Sequence, residues 1–282
     1  MVELNSNNLK IQINPLGAEL WHFIKNGKEY LWQGDPKYWH GRAYNLFPIC
    51  GGLIDDTYFY NGKPYHLKKH GFAKTSMFNV EYEKTDEACF LLSSKENHNE
   101  GYPFSYEYRI IYKIVDDSLE VTYKFLNTDN KTIYFSAGAH EGYMLSDGFE
   151  NYSIVFPNDT ELSRYLVDGN IVTFNTEQIK LKNHELPLNY DYFDIDAIIL
   201  KEHKSRTVYV KNNLTNEKIE VKFDDFPYLL IWTVRNGGYI CIEPWAGLPD
   251  STNSNQKLEN KEGIIAVKEG QEKVLVHQIS VL

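Results

Sequence analysis

The stretch SLEVTYKFLN (residues 118–127) alternates apolar and polar side chains with a period of two. In an extended chain, successive side chains point to opposite faces. One face would then carry the apolar residues Leu119, Val121, Tyr123 and Phe125. The pattern is typical of a strand with one face in a core and one toward solvent. It predicts a half-buried β-strand.

Similar segments lie on both sides of this strand. SYEYRIIYKIV (105–115) precedes it, and DDS (116–118) reads as the turn between the two. Asn-Gly, a frequent two-residue hairpin turn, joins apolar arms in FIKNGKEYLW (23–32) and YFYNGKPYHL (58–67). Three further hairpins are predicted: TVYVKNNLTNEKIEVKF (207–223), LLIWTVRNGGYICIEPW (229–245) and GIIAVKEGQEKVLVHQISVL (263–282).

Helical spacing of apolar residues is nowhere sustained, and many short strands without intervening helices indicate an all-β chain. We predict a large antiparallel β-sandwich. Residues 150–190 are more polar and are predicted to be a long excursion from it. Since no change in composition marks a linker, we predict a single domain over residues 1–282.

Composition excludes several functional classes. The chain has 282 residues, 42% of them hydrophobic, and a net charge of −10. Phosphate backbones and anionic membranes require a basic face, so neither nucleic acid nor a membrane is an expected partner. No basic-then-apolar leader and no membrane-length apolar run occurs. The three cysteines form no CxxC pair, which favours reduced thiols and a cytoplasmic location.

Four segments combine titratable groups with irregular backbone. They contain Arg42 before a Pro and a Gly pair, His70 before Gly71, His140 in YFSAGAHEGYML (134–145), and Glu243 before Pro244. Pro244 would end strand pairing beside Glu243. The small residues beside His140 leave room for a ligand.

Three other chemistries have weaker signals. Potential metal ligands are His66, His70, His140 and Glu141, but their spacing matches no metal motif, so no metal is predicted. A glycosidase would pair Glu243 with Asp194, Asp196 or Asp250 and leave the histidines without a role. No Gly-x-Ser-x-Gly motif indicates a serine nucleophile.

Five motifs, taken together and in order, resemble the aldose 1-epimerase (galactose mutarotase-like) family, and in particular its LacX-like branch. They are RAYNLFPICGGL (42–53), KHGFAK (69–74), GAHEGY (138–143), DIDAIIL (194–200) and CIEPWAGLPDS (241–251). The resemblance spans nearly the whole chain. It implies a galactose mutarotase-like supersandwich that interconverts the α and β anomers of a free aldose without cofactor or metal.

The resemblance also implies residue roles. Glu243 matches the general base, His140 the general acid, and His70 a second histidine that holds the sugar. Arg42 matches a substrate-binding arginine. The binding aspartate falls on Asp196 or, two residues away on the same predicted strand face, on Asp194.

Further substrate contacts follow from the motifs. Phe72, Tyr143 and Trp245 are predicted to stack on the sugar ring, whereas Trp232 is assigned to the core. A related branch that acts on hexose 6-phosphates has an arginine at the position of Lys74, so Lys74 and Arg42 are either candidates for phosphate binding or solvated surface charges. Glu141 departs from LacX-like relatives, which often have Pro there.

Anomer exchange requires a proton to leave the C1 hydroxyl while the ring oxygen gains one. We expect Glu243 and His140 on opposite sides of the C1–O5 unit, with the imidazole protonated before reaction. The alternatives are a noncatalytic carbohydrate-binding module on the same fold and a hexose-6-phosphate 1-epimerase. The expected partner is a small sugar, possibly phosphorylated, and the sequence predicts no oligomeric state.

Overall fold

The computed structural model describes residues 1–6 and 8–282 and is built almost entirely from β-strands and loops. The strands are β1 (Val2–Asn5), β2 (Leu9–Asn14), β3 (Glu19–Lys25), β4 (Lys28–Glu29), β5 (Ala43–Leu46), β6 (Thr57–Tyr60), β7 (Lys63–His66), β8 (Asn79–Glu83), β9 (Glu87–Ser93), β10 (Tyr106–Val115), β11 (Ser118–Asn127), β12 (Ile133–Phe135), β13 (Ala137–Met144), β14 (Tyr152–Val155), β15 (Glu161–Asp168), β16 (Ile171–Lys180), β17 (Glu185–Pro187), β18 (Ile198–Leu200), β19 (Thr207–Asn212), β20 (Lys218–Lys222), β21 (Tyr228–Trp232), β22 (Tyr239–Ala246), β23 (Ile265–Val267) and β24 (Glu272–Val281).

The helical segments of the described chain are short 3₁₀ turns. They span Ile54–Asp56, Ala73–Thr75, Phe149–Asn151, Tyr190–Phe193 and Leu258–Asn260. None of the helices among the described residues has the length and apolarity that a membrane span requires.

Two large antiparallel sheets form the body of the protein, as the sequence predicts. One has nine strands in the order β17-β14-β19-β20-β24-β11-β10-β9-β8, and the other has seven in the order β16-β15-β18-β21-β22-β13-β5. The sheets share one core, and the Tyr123 hydroxyl on β11 donates to Asn45 Oδ1 on β5 over 2.9 Å. The β-sandwich prediction is confirmed. The shared core supports the single-domain prediction, which stays a prediction.

The stretch 118–127 forms β11, an interior strand of the nine-stranded sheet next to the central β24. Alternate residues from Leu119 to Asn127 are buried and the residues between them are half-buried. β10 pairs with β11 along its whole length, and the turn between them has Asp116 at a left-handed φ of 53°. The period-two pattern therefore identified both the strand and its buried face.

Four of the five other predicted hairpins are confirmed by the pairs β3–β4, β6–β7, β19–β20 and β21–β22. The prediction for residues 263–282 is wrong. β23 pairs with β12, and β24 lies between β20 and β11. A central strand pairs along both of its edges. The two partners of β24 are β20 and β11, so no edge of β24 is free to pair with β23.

The sequence suggested that residues 150–190 are a long excursion from the sandwich, but this region folds into strands. It contains β14 to β17, and β15 and β16 pair as a hairpin at one edge of the seven-stranded sheet. Most side chains in the middle of β16 are exposed. An edge strand with little buried surface lacks the apolar alternation that marks a strand in sequence.

Candidate active site

The outer face of the seven-stranded sheet, turned away from the nine-stranded sheet, carries an imidazole beside a carboxyl group. The register of β13 and β22 pairs Gly138 with Trp245 and Glu141 with Ile242, which sets His140 opposite Glu243. Pro244 has no N–H for the ladder at this point. His140 Nε2 lies 3.4 Å from Glu243 Oε2. Strand register alone thus places the two groups side by side.

Alternation along β13 separates cavity-facing from core-facing residues. His140 lines a cavity, whereas Tyr143 is fully buried in the core between the sheets and Glu141 bonds with His277 of the opposite sheet at 2.9 Å. Residues an odd number of positions apart point to opposite faces. The predicted sugar contact of Tyr143 is therefore wrong. Glu141, the departure noted in the sequence, likewise points away from the site.

His70 reaches the same cavity from the loop between β7 and β8. His70 and Gly71 are both left-handed, with φ of 71° and 67°. A Cβ on Gly71 would lie 2.3 Å from the Phe47 carbonyl oxygen, so only glycine fits. The Gly51 N–H donates to His70 Nδ1 over 3.1 Å. In the neutral ring this leaves Nε2–H as the donor.

The cavity has a volume of about 500 Å³, within the usual range of small-molecule sites. His140 and Glu243 lie in its lining together with His70 and Trp245. The Trp245 ring packs edge-on against His70 with centroids 5.5 Å apart, and its indole N–H donates to the Ala139 carbonyl. The structure thus brings together the predicted acid and base, the second histidine and one of the residues assigned to stacking.

Of the two aspartates, Asp196 lines the cavity and Asp194 does not. Asp194 is exposed and its carboxylate accepts from Arg235 over 2.6 Å. The expectation that both lie on one strand is wrong, because Asp194 caps a 3₁₀ turn and β18 begins only at Ile198. Asp196 sits between the two with a φ of 125°.

Arg42 and Phe72 do not reach the cavity lining. The Arg42 guanidinium donates to the Trp21 carbonyl and to Gln33 Oε1 and lies 4.0 Å over the Trp21 ring. Both hydrogen bonds use Nη1, and Arg42 is absent from the cavity lining. Phe72 packs against Phe47 in the core.

Two lysines occupy the cavity wall. Lys74, predicted from the sequence, is half-buried with its Nζ 5.4 Å from the centre of the Tyr44 ring, and Lys69 is exposed. Among the described residues, neither forms a salt bridge, whereas the neighbouring Lys68 pairs with Asp56. The wall thus carries two positive charges without a fixed partner.

Sequence reasoning missed several aromatic residues of the cavity. Trp39 stacks on the His140 ring with centroids 4.9 Å apart, and Trp232, assigned to the core, packs edge-on against the same ring at 5.8 Å. His40 bonds with the Tyr44 hydroxyl at 2.8 Å in the cavity wall. Only the unusual aromatic density of residues 38–44 marked this segment.

Burial controls the protonation of the site. It lowers the pKa of His140 to about 3 and raises the pKa of the Glu243 carboxyl well above its usual value. Asp196 and Glu141 raise the pKa of Glu243 further, while Lys69 opposes them. Burial, followed by the nearby His140, also lowers the pKa of His70. Burial thus favours a protonated carboxyl and neutral imidazoles on the cavity floor, whereas an imidazolium was expected from the sequence.

The structure does not assemble the metal ligands considered from sequence. His66 is exposed on the β6–β7 hairpin and Glu141 points into the core. A different set does cluster: one ligand atom from each of His140, Cys241 and Glu243 lies within 4.8 Å of the other two.

Comparison with known proteins agrees with the fold. The family model described as aldose 1-epimerase matches residues 1–279. Protein LacX, chromosomal, from Lactococcus lactis subsp. lactis is 30% identical over 281 residues, covering 94% of each chain. A galactose mutarotase related enzyme from Lactobacillus acidophilus has 28% identity and a TM-score of 0.94, over 99% of this chain and 96% of that one. A galactose mutarotase-like protein from Lactobacillus casei has 27% identity and a TM-score of 0.91 over the whole of both chains.

Proposed function

Because the chain belongs to the aldose 1-epimerase family, we propose that it interconverts the α and β anomers of a free aldose by acid–base ring opening and closure. The observation that carries this proposal is the buried pair of His140 and Glu243, 3.4 Å apart on the floor of a cavity. Binding alone would need no buried acid beside a buried base.

The short distance between the two groups shapes the mechanism. A gap of 3.4 Å is too small to admit a sugar ring between them. The sugar therefore contacts both from the cavity side, not from between them as the sequence suggested. The C1 hydroxyl and the ring oxygen of an aldose are bonded to the same carbon, so neighbouring protein groups can serve both.

The pair needs one shared proton. Its transfer from Glu243 to His140 creates a carboxylate and an imidazolium. The carboxylate then takes the proton of the C1 hydroxyl while the imidazolium protonates the ring oxygen, the C1–O5 bond breaks, and C1 becomes an aldehyde. Both protein groups are neutral again, which is the state that burial favours. Rotation about C1–C2 and the reverse steps give the other anomer.

The cavity wall supplies binding groups for such a substrate. Asp196 offers a hydrogen-bond acceptor, and the Nε2–H of neutral His70 a donor. Trp245 and Trp39 offer apolar ring faces. No step uses a metal or a cofactor.

The test follows the equilibration of freshly dissolved α-glucose and α-galactose by polarimetry or proton NMR. We expect the protein to accelerate it, and Glu243→Gln and His140→Gln each to lower kcat by about 10²–10⁴-fold. His66→Gln, which changes an exposed histidine on the β6–β7 hairpin, is the control and should have no effect. Sugar binding without acceleration would favour a noncatalytic module, and hydrolysis of a nitrophenyl glycoside would favour a glycosidase.

The two lysines of the cavity wall favour a second candidate, a hexose-6-phosphate 1-epimerase. Lys69 and Lys74 lie in the lining without a salt-bridge partner among the described residues, and a phosphate accepts such charge-assisted hydrogen bonds. Lys69→Met or Lys74→Met should then lower kcat/KM for a hexose 6-phosphate by about 10- to 100-fold and spare the unphosphorylated hexose. Lys68→Met, which removes a lysine paired with Asp56, is the matched control. Equal effects on both sugars would contradict phosphate binding.

A further inference from the structure

His140, Cys241 and Glu243 bring three different metal-binding groups to one point beneath the cavity floor. One ligand atom from each lies within 4.8 Å of the others. The three residues are buried, and β22 carries both Cys241 and Glu243 on its outer face, two positions apart. This combination of nitrogen, sulfur and oxygen ligands goes beyond what the epimerase proposal requires, because the thiol has no part in proton transfer.

The distance between the imidazole and the carboxyl also fits two ligands of one cation. His140 Nε2 and Glu243 Oε2 are 3.4 Å apart, beyond the usual N–H···O range. In a tetrahedral zinc site with ligand bonds of about 2.0–2.1 Å, neighbouring ligand atoms lie about 3.3–3.4 Å apart. The pair thus already has the spacing of one edge of such a tetrahedron.

We propose that His140, Cys241 and Glu243 form a binding site for a borderline-soft divalent cation of the zinc type, and that the bound cation inhibits the enzyme. A thiolate selects this class over magnesium or calcium, which prefer oxygen ligands. The cation occupies the nitrogen and oxygen atoms that would otherwise move the proton of the reaction.

Charge balance allows the cation into this buried place. A carboxyl group and a thiol bind a metal in their deprotonated forms. Two anionic ligands then neutralise the two positive charges of the metal. The occupied site therefore has no net charge, which avoids the cost of burying an unpaired ion.

The cavity supplies the fourth ligand position and the entry path. His140 and Glu243 line the cavity, whereas Cys241 lies deeper, packed with Trp32 and Tyr239. A cation held by these three residues would keep one position open toward the cavity for a water molecule or a sugar hydroxyl. The metal and the aldose would then compete for His140 and Glu243.

The experiment titrates the purified protein with Co²⁺, a spectroscopic substitute for Zn²⁺, and measures absorption in the near ultraviolet and visible. We expect one Co²⁺ per chain with a thiolate-to-cobalt charge-transfer band, and displacement by Zn²⁺. Cys241→Ala should abolish the band and weaken Co²⁺ binding by at least about 10- to 100-fold. Cys89→Ser is the matched control, because the Cys89 thiol also lies against a carboxylate, 3.3 Å from Glu81, but has no histidine beside it.

The binding result does not depend on the proposed epimerase activity, so the two can fail separately. No band in the wild-type protein, or a band that survives in Cys241→Ala, would overturn the metal site. Inhibition by Zn²⁺ rests on the proposed function and is measured as a Zn²⁺-dependent loss of anomer exchange. Cys241→Ala, which keeps His140 and Glu243, should resist Zn²⁺ at least about tenfold better. Equal inhibition of both proteins would show that Zn²⁺ acts elsewhere.

Discussion

The protonation states of His140 and Glu243 follow from their burial. Only 7% of His140 and 2% of Glu243 is accessible, and removal from water disfavours the charged form of either group. The imidazole therefore loses its proton more easily than in water, and the carboxyl holds its proton more strongly. A pair that is neutral at rest can pass one proton between its members without changing the net charge of the cavity.

This electrostatic state makes a prediction about pH. The pair is inactive when the His140 imidazole is protonated while the Glu243 carboxyl keeps its proton. It is also inactive when the carboxyl has lost its proton to solvent. Since the pKa of His140 is lowered to about 3, the plot of kcat/KM against pH should show no limb from His140 near 6.5, where an ordinary histidine titrates. A limb centred near pH 6.5 that disappears in His140→Gln would contradict this assignment.

The two aspartates allow a matched comparison at the binding site. Asp196 lines the cavity, whereas Asp194 pairs with Arg235 at the surface. Asp196→Asn should raise KM for the aldose by about 10- to 100-fold, because it removes a charged hydrogen-bond partner. Asp194→Asn should change KM less than about twofold, since exposed ion pairs contribute little. Steady-state kinetics on both variants would refute the assignment if Asp194→Asn had the larger effect.

The two faces of strand β13 contact different parts of the molecule. Its outer face carries His140, while Glu141 on its inner face reaches His277 of β24. The bond at 2.9 Å joins the two sheets of the sandwich, and the His277 ring stacks on Tyr123. Adjacent residues of one strand thus face the cavity and the packed interface between the sheets.

The inner face can be tested separately from the outer one. Glu141→Ala leaves His277 buried without a partner and should lower the free energy of unfolding by about 1–3 kcal/mol. It should leave kcat/KM within about threefold of the wild type. Glu272→Ala, which breaks the exposed Lys124–Glu272 pair, should cost less than about 1 kcal/mol. Urea denaturation measures both, and a Glu141→Ala variant that is stable but inactive would contradict the separation of the two faces.

Buried histidines should dominate the acid response of the whole molecule. Burial lowers the pKa of His70 and His140, and that of His203 to about 4. Below pH 6.5 the unfolded chain takes up protons at these sites that the folded protein does not. The free energy of unfolding therefore decreases as the pH is lowered. Each such site contributes up to about 1.4 kcal/mol per pH unit. Glu243 acts in the opposite direction, because its folded-state pKa is raised.

His203 isolates this effect, since it lies outside the cavity lining. His203→Gln should reduce the loss of unfolding free energy between pH 6.5 and 4 by up to about 1.4 kcal/mol per pH unit. His66→Gln, at an exposed histidine, should not change it. Denaturation at a series of pH values checks both. An unchanged slope in His203→Gln would contradict neutral burial of that imidazole.

Local patterns in the sequence were sufficient for several of the strands and their faces. Alternation in residues 118–127 identified β11 and its buried side, and Asn-Gly located two hairpins, because these signals depend only on neighbouring residues. The motifs also indicated the family. The same alternation, applied to β13, would have assigned Tyr143 to the core, a consequence that the sequence reading did not draw.

Long-range contacts decided the rest. The partners of β24, the meeting of Trp39 with His140, and the choice of Asp196 over Asp194 depend on chain segments far apart in sequence. The pKa shifts of His140 and Glu243 also depend on distant segments, because all the surrounding elements together bury these two groups. The sequence by itself determined which residues form strands and which groups are available for chemistry. Only the tertiary structure decided which groups meet and which carry a charge, because proximity and exclusion of water are properties of the packed chain.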